Sequence, residues 1–389
     1  MARLLHYVVN ALSDTLLADD SVPQGVQMAN APALWARGYT GRNVVVAVID
    51  SGADYSHPDF RRKFYPPINF SGSRSARDDN GHGTHVTGTI GANGWLRGVA
   101  PNCRILPIKV FDADGSAGDA AIARAFRAAA DWIGPNGERV NVINASFGGS
   151  ADSQALHDSI RYAVGRGIIV VAAAGNEGDN NPNQLQYVYP GAYQEVVEVA
   201  SVNAYGIHSE FSNVNEQVDV CCLGEAVQST YPTYFGHRYA VFSGTSMATP
   251  HQSGICAIAY EMFVSIHGRR PANEDELWQF VSKNVKPLRI PKMEQGLGLG
   301  YLRPELLTQG KVAADELPAD EAEEEAIDTE PAESARQTVR YAMYLRNVKR
   351  NTYVVQIGGT CRTRQVAANL GEGIKRRIEN GTARIEKMF

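Results

Sequence analysis

Runs of β-branched residues separated by stretches of helical spacing are what most restrict the fold of this chain. Val44-Val45-Val46-Ala47-Val48-Ile49 shows no alternation of apolar and polar residues. That is the pattern of a strand buried on both faces, as in a parallel sheet. Ile105-Leu106-Pro107-Ile108-Lys109-Val110, Val140-Asn141-Val142-Ile143-Asn144 and Ile168-Ile169-Val170-Val171-Ala172 repeat it. Residues 119–132 and 153–166 between them read as helices. Strand, helix, strand at this spacing gives βαβ units. The predicted fold class is α/β, a mostly parallel central sheet with helices on both faces, plus a small C-terminal α+β segment. Sites in such sheets lie at the carboxyl ends of the strands, where Asp50 and residues 144–148 fall.

The 389 residues allow one large domain and something smaller. A net charge of −5 gives no electrostatic case for nucleic acid. No apolar run approaches the roughly 18 residues that suggest a membrane span. Leu4-Leu5-His6-Tyr7-Val8-Val9-Asn10 is broken by polar residues and precedes no small-residue cleavage site, so a secretory signal is not expected and the chain reads as cytoplasmic. The five cysteines are odd in number, lack a CxxC spacing and include the adjacent pair Cys221-Cys222. Free thiols in a reducing compartment fit them better than disulfides.

Four segments follow from composition. Residues 1–20 form an N-terminal extension and 21–308 the main domain. Residues 309–335, dominated by Asp and Glu from Asp315 to Glu333, read as a self-repelling disordered linker, or in part as a solvated helix. Residues 336–389 carry 12 Lys and Arg against 3 Glu, with a strand expected over 351–359 and a helix over 365–377.

Three motifs bring together a carboxylate, an imidazole and a hydroxyl: Val48-Ile49-Asp50-Ser51-Gly52, Asn80-Gly81-His82-Gly83-Thr84-His85-Val86 and Ser243-Gly244-Thr245-Ser246-Met247-Ala248-Thr249-Pro250. A serine hydroxyl needs a base within hydrogen-bond reach to act as a nucleophile at neutral pH. Imidazole suits that base and later acid duty, and a carboxylate can fix its tautomer. Ser246 precedes the apolar run Ile255-Cys256-Ala257-Ile258-Ala259, which places it at a helix N-terminus, where N–H donors lack partners. Each residue alone has a plainer reading. Ser246 would serve as a helix cap, Asp50 as a strand-ending turn residue, and Asn176 as a turn residue before Glu177-Gly178. His85 rivals His82 as the base. A metal site on the two histidines lacks the Glu of a His-Glu-x-x-His motif.

Taken together, in the order Asp, His, Ser, the motifs and Ala173-Ala174-Gly175-Asn176-Glu177-Gly178 resemble the subtilisin-like serine proteases. The resemblance runs from about residue 22 to 307. It is greatest to the intracellular subtilisins, through Asp78-Asp79-Asn80-Gly81-His82 and Tyr189-Pro190-Gly191-Ala192-Tyr193-Gln194-Glu195-Val196. It implies a serine endopeptidase that cleaves protein or peptide substrates through an acyl-enzyme. In it Asp50 orients His82, His82 serves Ser246, and Asn176 donates to the oxyanion, while His85 is structural. Ser146, Phe147, Gly148, Ala173, Ala174 and Gly175 would line the primary side-chain pocket. Gly115 and Ser116, with Ala117-Gly118, would form an edge for an extended substrate. The resemblance also implies calcium. The loop 92–98 is too short for the family's strong site, although Asp59 matches its carboxylate. A weaker site would use the carbonyls of Gly191, Tyr193 and Val196 with Asp219. Leu4-Leu5-His6-Tyr7 stands where the intracellular members carry an inhibitory Leu-Ile-Pro-Tyr segment, with His6 in place of proline, so residues 1–18 are expected to block the site until clipped. Tyr353-Val354-Val355-Gln356-Ile357-Gly358 resembles the start of a peptidoglycan-binding SPOR module. The basic segment would accordingly bind a cell-wall glycan or another anionic partner. The alternative function is a catalytically silent subtilisin fold used as a binding scaffold.

Overall fold

A computed structural model describes residues 2–4, 7–12, 22–179, 181, 184–304, 342–344 and 354–356. The chain divides into two units, residues 1–314 and 315–389.

In the first unit, seven strands form one sheet: β3 (Val45–Asp50), β4 (Ile68–Asn69), β5 (Arg104–Lys109), β7 (Val142–Ala145), β9 (Ile169–Ala173), β10 (Val197–Val202) and β11 (Val218–Leu223). Their order is β11-β10-β9-β7-β3-β5-β4, and every pairing is parallel. From β3 the chain passes to the edge strand β4 and comes back to β5, between β3 and β4. It then returns to build through β7 and β9 on the other. The order therefore reverses between β3 and β7, and a crevice opens there beyond the strand ends.

Side chains alternate across the strands and feed two cores. Val46, Val48, Val142, Val171 and Val199 face α3 (His82–Gly91) and α6 (Thr245–His267). Val45, Ala47, Ile49, Ile143 and Val170 face α4 (Asp119–Asp131) and α5 (Gln154–Val164). α4 and α5 are amphipathic and lie on the surface. α6 is buried along most of its length, with Ile255, Cys256, Ala257, Ile258 and Ala259 as its apolar run. The shorter helices α1 (Gln24–Met28), α2 (Ala31–Trp35), α7 (Glu274–Ser282) and α8 (Lys292–Gln295) complete the unit. α7 is capped by the Asn273 side chain accepting from Glu276 N at 3.0 Å, an arrangement generally worth about 1 kcal/mol.

Two small sheets flank the crevice. β1 (Ala2–Leu4) lies antiparallel between β6 (Ser116–Ala117) and β8 (Phe147–Gly148). β2 (Tyr7–Leu12) pairs with β13 (Tyr239–Ser243), whose other neighbour is β12 (Val227–Thr230). The second unit holds the antiparallel pair β14 (Ala342–Tyr344) and β15 (Val354–Gln356), and β15 falls within the strand expected over 351–359. The expected helix over 365–377 and the linker at 309–335 lie outside the described residues. Cys103, Cys221, Cys222 and Cys256 are free and buried. Among the described residues no helix is long and apolar enough to cross a membrane.

His251 on α6 is buried, with Nδ1 on the Met247 carbonyl at 2.9 Å, and burial pushes its pKa down to about 4. The unfolded chain binds the proton near the ordinary 6.5 and the native state resists it. Stability is therefore full above about 6.5 and is lost as pH falls toward 4, by about 3 kcal/mol at most for this residue. Urea unfolding of Ser246→Ala protein should show a steeper loss between pH 6.5 and 4 than the same protein carrying His251→Gln.

Candidate active site

Asp50 ends β3, directly across from Lys109 on β5. It is fully buried, and its Oδ1 accepts from Ser51 N at 2.7 Å and lies 2.8 Å from His82 Nδ1. Its Oδ2 is 3.1 Å from the same nitrogen. His82 begins α3, and the close approach of that helix to the Asp50 turn requires glycine at its second position. A Cβ on Gly83 would sit 2.2 Å from the Gly52 carbonyl oxygen. The imidazole is thus held by a carboxylate in a dry site, with Nδ1 carrying the proton toward Asp50.

A second layer fixes that pair. Ser51 Oγ accepts from Gly83 N at 2.9 Å and donates to Asp78 Oδ1 at 2.8 Å. Asp78 also accepts from Gly81 N at 2.8 Å, Thr84 N at 2.8 Å and Thr84 Oγ1 at 2.6 Å, so it caps α3 just ahead of His82. Lys109 is fully buried and donates to Ser51 O at 2.6 Å, Phe111 O at 2.8 Å and Asp79 Oδ1 at 2.6 Å. The sequence reading passed over Ser51 and Lys109. The signal for Lys109 was a single cation inside an otherwise apolar strand.

Ser246 stands in the first turn of α6, after Gly244, whose φ of 154° is a glycine conformation. Its Oγ donates to Ser146 O at 2.6 Å. Asn176 follows β9, and its Oδ1 accepts from both Thr245 N and Thr245 Oγ1 at 2.9 Å. The amide oxygen is engaged there, and the NH₂ group is the donor end of the side chain. Asp50 and His82 are thus joined from β3 and α3, and Asn176 is joined to the residue before Ser246 from the end of β9 and the start of α6. His85 packs elsewhere, its Nε2 3.1 Å from Val227 O and its ring stacked on Phe242 at 4.3 Å.

The expected substrate edge and pocket wall are both present as backbone, and β1 lies between them. Arg3 pairs with Ser116 and Gly148, Leu4 pairs with Phe147, and Leu4 N donates to Gly115 O at 3.2 Å. The Phe147 ring is buried in the core beside Phe111, and its backbone pairs with Leu4. Ala173 packs with Val188, Ala174 lies in the small core by Ala200, and Gly175 N donates to Thr245 Oγ1 at 3.2 Å.

The residues expected at the weaker cation site lie together only in part. Asp219 and Val196 line one cleft of about 450 Å³, and Tyr193 O accepts from Val196 N at 3.0 Å. Gly191 lies against Glu198. Asp219 Oδ2 accepts from Glu198 N at 2.9 Å, and burial pushes the Asp219 carboxyl up to about 7. Burial likewise pushes Glu198 up to about 8. Glu198 Oε2 is buried without a hydrogen-bond partner. The carbonyls and the Asp219 carboxyl are hard oxygen donors of the kind calcium accepts. Asp59, by contrast, is surrounded by donors: Trp95 N at 3.0 Å, Leu96 N at 3.1 Å and Tyr239 Oη at 3.0 Å. Among the described residues no three His, Cys, Asp or Glu side chains converge as a metal-binding group.

Removing one oxyanion donor generally costs about 10²–10³ in rate. Asn176→Ala should lower kcat by that factor on a peptide anilide. Thr245→Val, which removes one of the two bonds that aim the amide, should lower kcat by about tenfold and leave KM little changed.

Comparison with known proteins agrees with this geometry. The subtilase family profile matches residues 41–298. The major intracellular serine protease of Bacillus subtilis is 36% identical over 314 residues, covering 77% of this chain and 93% of that protein. The intracellular serine protease of Paenibacillus polymyxa is 39% identical over 312 residues, covering 78% of this chain and 92% of that one. Subtilisin NAT of Bacillus subtilis subsp. natto is 41% identical over 241 residues, 61% of each. This chain belongs to the subtilase family and is a serine endopeptidase.

Proposed function

We propose that the chain is a cytoplasmic endopeptidase held inactive by its own N-terminus. The observation that carries this reading is the seating of β1 as the middle strand between β6 and β8. That is how an extended substrate adds to a sheet edge. Ala2 is 4% exposed and joins the core beneath the groove, while the Arg3 side chain points outward. The names of the two intracellular relatives support the compartment.

In the working enzyme Asp50 holds the His82 tautomer, and His82 takes the Ser246 proton as Oγ attacks the scissile carbonyl. The hydroxyl must first exchange its bond to Ser146 O for one to the imidazole. Asn176 Nδ2 and Ser246 N then meet the developing oxyanion. His82 returns the proton to the leaving amine, and water attacks the acyl-enzyme by the same route in reverse. Calcium would be held by the carbonyls of Gly191, Tyr193 and Val196 with the Asp219 carboxylate, away from the reacting atoms, and would supply positive charge that steadies the fold. Residues 336–389, with their excess of Lys and Arg, suit an anionic partner or cell-wall glycan.

Fluorophosphonate labelling tests the reading. A form lacking residues 1–17 should label at least tenfold faster than the full chain, and Ser246→Ala should not label. Equal rates for the two Ser246 forms would remove the inhibitory role. No labelling of either folded form would favour the silent scaffold.

A further inference from the structure

β1 and β2 are parts of one continuous segment that pairs with two different sheets. β1 ends at Leu4 and β2 begins at Tyr7, so three Cα steps, at most about 11 Å of chain, join them. β1 lies between β6 and β8, where the upstream part of a substrate would add. β2 lies antiparallel on β13, with Tyr7 opposite Ser243, Asn10 opposite Val241, Ala11 opposite Ala240 and Leu12 opposite Tyr239. Ser243 is followed at once by Gly244-Thr245-Ser246. The end of β13 nearest the groove is therefore also the end nearest the nucleophile. A polypeptide lying in the groove in the direction of β1 has β13 ahead of it.

β13 is held in place from its other side. β12 pairs with it along Val227–Thr230. Ser229 Oγ donates to His85 O at 2.7 Å and Thr230 Oγ1 to Thr84 O at 2.8 Å, which ties β12 to the helix that carries His82. Between β12 and β13, Thr233 donates to Asp54 Oδ2 through N at 2.9 Å and through Oγ1 at 2.6 Å, and the Tyr234 hydroxyl donates to Asp78 O. None of these bonds involves β2, so the face that β2 covers is built without it. The pairing itself is irregular. Between Ser243 and Val241 the register shifts, and the extension takes three steps where β13 takes two. Main-chain pairing of this kind asks for an extended conformation more than for particular side chains.

We infer that the side of β13 covered by β2, from Ser243 to Tyr239, receives the residues downstream of the cleaved bond in a polypeptide substrate as an added antiparallel strand. The length of β2 sets that stretch at six residues. The substrates favoured are then long, extended polypeptides, such as loosely folded protein segments, over short peptides. This rests on the inhibitory reading above and adds the downstream half of the substrate track to it.

Two measurements on the full chain carrying Asn10→Pro and Ala11→Pro test the inference. Adjacent N–H groups point to opposite sides of a strand, so the pair removes one that faces β13. In the first, Ser246→Ala is added and amide exchange is followed at residues 239–243. Exchange there should be at least tenfold faster than with the native extension, with the seven-stranded sheet unchanged. A saturating peptide that continues six residues past the cleavable bond should slow it again, and one that ends after a single residue should not. In the second, Ser246 is kept and the two peptides are compared as substrates. kcat/KM should be at least tenfold higher for the long one, and N-methylation of its third to sixth downstream residues should cancel the gain. The form lacking residues 1–17 should behave in both as the proline variant does. A long peptide that leaves 239–243 unprotected, or a gain that survives N-methylation, would overturn the inference and leave the inhibitory role standing. Equal fluorophosphonate labelling with and without residues 1–17 would instead overturn the inhibitory reading beneath it.

Discussion

The contact between Asp50 and the His82 ring depends on a carboxylate kept out of water at the end of a parallel strand. Much of the crevice is arranged around that requirement. Burial raises the cost of the charge and also strengthens each hydrogen bond made to it. Ser51, Asp78, Thr84 and Lys109 spend their polar groups on one another and on the backbone around Asp50, so the turn after β3 has little freedom to shift. Gly83 lets α3 come near enough for the imidazole to reach. The sheet's reversal between β3 and β7 then opens the space that α6 fills with Ser246. Ser253 on that helix donates to Asn144 Oδ1 at 2.8 Å on β7, which locks the nucleophile's helix to the sheet.

Much of this was legible in the sequence. Val44–Ile49 and Ile168–Ala172 foretold β3 and β9 to within one residue, because strands covered on both faces must be apolar throughout. Ser246 was placed correctly at a helix start by the apolar run behind it. β10 and β11 escaped notice because Glu198 and Asp219 interrupt their runs, and local pattern does not reveal an acid that is buried for a reason beyond packing. β1 and β2 escaped for a different cause. Their partners lie more than a hundred residues away in β6, β8 and β13, so nothing in their own few residues announces a strand. The same limit hid the inward turn of Phe147, whose backbone and ring serve different neighbours.

The groove shows how little specific chemistry a substrate strand needs. Gly115 and the β8 backbone offer main-chain groups that an extended segment can pair with whatever its side chains, as β1 does. Such a surface binds the chain's own terminus by the same rules as a foreign peptide. A tethered terminus would compete there at a high effective concentration.

β2 matters in another way. While it is paired, β13 is an interior strand with its N–H and C=O groups met on both sides. Without the N-terminal segment, residues 239–243 would be the rim of a two-stranded sheet with one side unsatisfied. An open rim is a template for any extended chain. It lies immediately before the nucleophile's turn, so release of the segment would expose a sticky margin beside the cutting site, and a protease freed in this way would be more prone to pair with its own copies than its intact precursor.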